Sequence, residues 1–165
     1  MLPWPRWRRV TMDDILCFCV PGRPIPKGRI RVPRRGRAYT PQRTRAYERR
    51  IKDAFSLAYP RHRPWRGPVD MVVVATCAPP RKWSAAKREE AKAMEWPCPR
   101  RPDWDNVGKI VSDALNGLAY ADDAQIAGVT ITMDYGPEEA LTVQVMRLPD
   151  YEADYDQEQE EDDDE

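Results

Sequence analysis

The sequence predicts one α+β domain, on three observations. At 165 residues the chain can bury one real core and is too short to expect two. Four runs read as strands, at 15–20, 69–77, 125–134 and 140–148, while 40–58, 84–94 and 106–118 carry helical signals. Both ends lack any apolar period, so 1–11 is expected to be a flexible basic arm, 12–149 the folded domain and 150–165 a disordered acidic tail. Met12 is a second candidate for the natural start.

Ile15 to Val20, ILCFCV, reads as a largely buried strand in which Cys17 and Cys19 are expected to be small buried hydrophobes. The proline-punctuated PGRPIPKGRIRVPRRGRAYTP that follows reads as a loop or irregular hairpin holding positive charge at the surface. Thr40-Pro41 then looks like a helix start, with threonine at the cap and proline at the first helical position, and Tyr47, Ile51, Phe55 and Ala58 recur at helical spacing. The opposite face of that helix bears Arg43, Arg45, Arg49, Arg50 and Lys52. VDMVVVATC reads as a central strand, and the serine-capped SAAKREEAKAM as a surface helix. Val107, Ile110, Val111, Ala114, Leu115 and Leu118 form the clearest apolar stripe, ending near Asn116-Gly117. The last two strands flank Tyr135-Gly136-Pro137 and are expected to pair as an antiparallel hairpin.

Charge narrows the function. The formal net charge is zero only because the last sixteen residues hold eleven acids and no base; over 1–149, 27 bases face 16 acids. The first 66 residues hold eighteen Lys or Arg against four Asp or Glu. Such one-ended basicity suits a polyanion, nucleic acid above all, rather than a merely soluble surface. The acidic tail reads as a solubilising appendage or as a phosphate mimic that competes for that surface. Cys17, Cys19, Cys77 and Cys98 show no CxxC spacing and His62 has no partner cysteines, which argues against a zinc site. Neither a transmembrane span nor a signal peptide is expected, so the expectation is a cytoplasmic protein with reduced thiols.

The chemistry concentrates in RPDWDNVGKIVSDALNGLAYADDAQI, residues 101–126. Asp105 is expected to cap a helix starting at Asn106, with Lys109 and Asp113 following in steps of four along one stripe. Asp103, two residues earlier in an extended segment, points the same way as Asp105 by alternation, and Trp104 points away from them. Asp122 and Asp123 follow the turn, and all five aspartates are expected to converge. An oxygen-only donor set suits Mg²⁺ or Mn²⁺, and crowded carboxylates are tolerated where a cation neutralises them. Taken singly, the same residues also suit a helix cap, i,i+4 ion pairs and a turn.

The order D-x-D-N-x-x-K, then D-A-L, then D-D-x-Q closely resembles the RusA family of Holliday-junction resolvases, and PGRPIPKGRIR with AYTPQRTRAYE resembles that family's opening segments. The resemblance spans about residues 15–148 and leaves out both tails. It implies a RusA-like homodimer with a small mixed sheet packed with two to three helices, which uses magnesium or manganese to nick two opposing strands of a four-way DNA junction symmetrically. Transferred position by position, the essential aspartates are Asp103, Asp105 and Asp123, with Asp122 as the alternative to Asp123, and the catalytic lysine is Lys109. Asp113 is supporting. The bases expected to contact DNA are Lys27, Arg29, Arg31, Arg34, Arg35, Arg37, Arg43 and Arg101. A non-catalytic protein that binds branched DNA on the same scaffold is the competing expectation.

Overall fold

The computed structural model describes residues 11–28, 40–99 and 102–149. Residues 1–10 of the basic arm, the acidic tail, Arg29, Arg31, Arg34, Arg35, Arg37 and Arg101 lie outside them. A 3-10 turn at Met12–Asp14 leads into β1 (Ile15–Pro21), followed by α1 (Gln42–Ala58), β2 (Val69–Cys77), α2 (Ala85–Ala93), α3 (Trp104–Leu115), a second 3-10 turn at Asp123–Gln125, β3 (Ile126–Tyr135) and β4 (Ala140–Arg147). Mixed α+β architecture is what the sequence predicted. No described helix is long and apolar enough to cross a membrane.

The four strands form one mixed sheet in the order β1-β4-β2-β3. β4 is antiparallel to both β1 and β2, and β3 runs parallel to β2, with Met71 beside Val129 and Ala75 beside Met133. The expected β3–β4 hairpin is therefore absent. β2 lies between the two strands, and its nearly continuous apolar run suits a strand paired on both sides. The chain turns across the end of β2 instead, where Gly136 N–H donates to the Cys77 carbonyl at 3.2 Å.

Alternation decides which face is covered. Leu16, Phe18 and Val20 of β1, Met71, Val73 and Ala75 of β2, and Leu141, Val143 and Val145 of β4 form the buried face. Against it pack Tyr47, Ile51 and Phe55 of α1 and Val107, Ile110, Val111, Ala114 and Leu115 of α3. Phe18 meets Phe55 edge-on at 5.6 Å. The intervening positions face the uncovered side, so Cys17 and Cys19 are exposed rather than buried as expected. A smaller cluster of Cys77, Ala91, Cys98 and Tyr135 holds α2 near the C-terminal end of β3.

Helix ends account for one further difference. Pro41 takes the N-cap of α1 and no side chain caps it, so Thr40 does not play the expected role. α2 keeps its predicted cap, the Ser84 hydroxyl accepting from Lys87 N–H at 3.3 Å.

Candidate active site

α3 starts earlier than its sequence suggested. Asp103 is the N-cap, with extended backbone, and its side chain makes no capping hydrogen bond. Asp105 is therefore a first-turn residue rather than the cap. The helix N-terminus favours negative charge at both positions. Because Trp104 is already helical, strand-like alternation does not turn it away from the acids. All three residues line one open cavity of about 810 Å³, together with Cys98, Pro99, Pro102 and Met133, and Trp104 is 66 % exposed there.

Lys109 donates to Asp105 Oδ2 at 3.2 Å across one turn. That hydrogen bond holds the Asp105 carboxyl below the usual carboxylate range, keeping it ionised. The lysine is 62 % exposed, and solvent-screened pairs of this kind are weak, so a phosphate can draw Lys109 away from its partner. Asp113, next on the stripe, is paired elsewhere, with Lys27.

The other acid pair lies at the far end of the helix. α3 runs antiparallel to β3: Met133 of β3 shares the cavity with Asp103 and Asp105, and a Cβ at Gly108 would lie 2.7 Å from Ile131. Asp123 opens the 3-10 turn that immediately precedes Ile126, where β3 begins, and Ile126 to Met133 spans roughly 23 Å of strand. The five aspartates thus do not converge within one chain. Among the described residues no group of three or more His, Cys, Asp or Glu side chains is placed to share a metal ion. The separation has a simple cause, since acids before and after a helix that spans the sheet fall at its two ends.

Asp122 and Asp123 differ in their surroundings. Asp122 is a cap, its Oδ1 accepting from Ala124 N–H at 2.9 Å, while Gln125 Oε1 accepts from Asp122 N–H at 2.8 Å. Asp123 is exposed, and its carboxylate makes no hydrogen bond or ion pair among the described residues. Gln125 also donates from Nε2 to the carbonyls of Trp65 and Gly67, at 3.1 and 2.6 Å, which pins the turn to the loop before β2. The Gln of D-D-x-Q is thus a structural fastening that was legible only as a motif letter. Tyr120, just before the acid pair, is buried, with its hydroxyl donating to Ser112 O at 3.0 Å and its pKa raised by burial.

Of the predicted DNA-contacting bases within the described residues, Arg43 is exposed on α1, whereas Lys27 is turned inward between Glu48 and Asp113. Sequence reasoning did not single out the cavity walls Cys98 and Met133, which meet through Cys98 N–H donating to Met133 O at 2.9 Å.

An aspartate pair opening a helix, a lysine one turn on and a pinned D-D-x-Q turn are thus the local setting of the motif residues. A model of the endodeoxyribonuclease RusA family matches residues 21–146. The chain belongs to the RusA family. It is also 33 % identical over 140 residues to a Bacillus subtilis (strain 168) protein, "Uncharacterized protein YqaN", covering 82 % of this chain and 98 % of that one. RusA is a family of Holliday-junction-resolving endodeoxyribonucleases, so nuclease activity is the activity implied at family level.

Proposed function

We propose that this RusA-family chain is a homodimeric, divalent-metal-dependent endonuclease that resolves four-way DNA junctions in the cytoplasm by paired symmetric nicks, in recombination and repair. The observation that carries the reading is the shared opening of Asp103 and Asp105 onto one cavity beside Lys109. Their donor chemistry fits Mg²⁺ or Mn²⁺: two carboxylates face one concavity, and that of Asp103 is not consumed by capping. When bound, such an ion supplies Lewis acidity and lowers the pKa of water. Asp103 and Asp105 would hold it, with Asp123 as third ligand. Lys109 leaves Asp105 to neutralise charge building on the attacked phosphorus. Arg43, Arg45 and Arg49 on the exposed face of α1 hold the phosphate backbone.

Because Asp123 lies a strand's length from the cavity, its contribution comes from a second copy. β3 is an edge strand, and Val129 at its middle is 49 % exposed. Antiparallel pairing of two β3 edges about a two-fold axis near Val129 carries the Asp123 end of one copy to the cavity of the other.

A labelled four-way junction incubated with the protein and Mg²⁺ tests the function. Paired nicks at opposing positions are expected, with loss of at least about 10²-fold in rate for Asp105→Asn. Junction bound but uncut, or Asp105→Asn cutting like the wild type, overturns the enzyme reading in favour of a binding protein. Equal cutting of linear duplex overturns junction selectivity.

A further inference from the structure

Residues 27 and 28 are wedged between two helices. Lys27 Nζ lies 3.5 Å from Glu48 of α1 and pairs with Asp113 of α3, so one ammonium bridges carboxylates on both. The Lys27 side chain is 28 % exposed and that of Glu48 22 %, which screens these pairs less than open surface would. The backbone joins the same helices. Lys27 N–H donates to Asn106 O at 2.9 Å, in the first turn of α3, and Gly28 N–H donates to Thr44 Oγ1 at 3.1 Å, in the first turn of α1. Thr44 is buried, and a Cβ at residue 28 would lie 2.7 Å from its hydroxyl and 3.3 Å from Pro41 Cγ. Only glycine fits there without a shift.

These contacts connect two surfaces of opposite purpose. α1 carries exposed arginines, and α3 carries Asp105 and Lys109. We propose that Lys27 is a positioning residue, not a phosphate contact: with Glu48 and Asp113 it forms an ion-pair clamp that fixes the cationic face of α1 relative to the acids of α3. DNA held by one helix is thereby delivered to the other. The inference rests on the nuclease reading of α3.

The two roles for Lys27 predict opposite effects at Asp113. Were Lys27 a phosphate contact, Asp113 would be a repulsive charge beside the DNA, and its removal would tighten binding. As half of the clamp, its removal loosens the helix pair and weakens binding.

Full-length K27M, K27R, D113N and K27M/D113N are compared by junction binding in EDTA and by cleavage kinetics in Mg²⁺, with thermal melts to establish folding. Expected are KM values raised about tenfold in K27M and in D113N, kcat changed less than KM, a double variant no worse than either single, and K27R near wild type. D113N binding as tightly as wild type or tighter, or losses that add in the double variant, overturns the clamp. Should K27M fail to fold, D113N and K27R still decide, since weaker binding by D113N with K27R intact supports the clamp and any other pattern overturns it. A wild type that cuts no junction defeats the nuclease reading instead, and the binding arm still reads the clamp.

Discussion

The two edges of the sheet expose the same kinds of backbone groups and are treated in opposite ways. On β1, the Tyr59 hydroxyl accepts from Cys17 N–H at 2.6 Å and donates to Cys17 O at 2.9 Å, and Arg50 donates to Pro21 O. Side chains on and just beyond α1 thus occupy that edge. On β3, the segment around Pro97 and Cys98 covers only the last residues, through Cys98 N–H to Met133 O and Tyr135 N–H to Trp96 O, each at 2.9 Å. The earlier part, from Ile126 to Thr132, has no comparable plug among the described residues. A bare edge invites pairing, and proteins normally blunt it. Here the blunted edge is remote from the acids, while the bare one runs from Asp123 to the cavity of Asp103 and Asp105.

Charging the bare edge is the strongest way to break this contrast. Val129→Lys is expected to give monomers in sedimentation and to lower junction cleavage by on the order of 10²-fold, as loss of a ligand would. Cys19→Lys, an exposed position on the plugged strand, is expected to leave both unchanged. Equal behaviour of the two variants would dissolve the distinction between edges.

Co-expression of Asp105→Asn and Asp123→Asn chains sharpens it further. If each site draws Asp123 from its partner, half of randomly assorted dimers hold one intact site, giving about a quarter of wild-type nicking. Sites built within one chain predict no recovery. At the other edge Tyr59→Phe strips the hydroxyl from Cys17, with an expected loss of about 1 kcal/mol in thermal or denaturant melts because water can replace it. The smallest effect is chemical: a thiol reagent at pH 8 should label exposed Cys17 and Cys19 quickly and Cys77 and Cys98 slowly, burial pushing the Cys77 thiol up to about 12.

What the sequence revealed followed what is local. β2 begins and ends where its β-branched run does, and the stripe from Val107 to Leu115 is the buried face of α3. Neighbour order is not local, so β3 and β4 looked like a hairpin until β2 came between them. The same limit applies to the site. Asp103, Asp105 and Lys109 are close in sequence and meet in space, but the placement of Asp123 depends on the direction of α3 across the sheet. Cys17 and Cys19 looked buried because an apolar strand does not announce which of its faces will be covered. Lys27 looked like one more DNA-binding base, and only its distances to Glu48 and Asp113 single it out.

The length of α3 has a consequence for when cutting is possible. With twelve residues the helix spans roughly 18 Å, enough to keep Asp103 and Asp105 apart from Asp123 in an isolated chain. Under the paired-edge reading, a lone chain is inert, and below the dimer dissociation constant activity rises with the square of protein concentration. A newly made copy would thus be harmless to the DNA it meets until enough others have accumulated to join it.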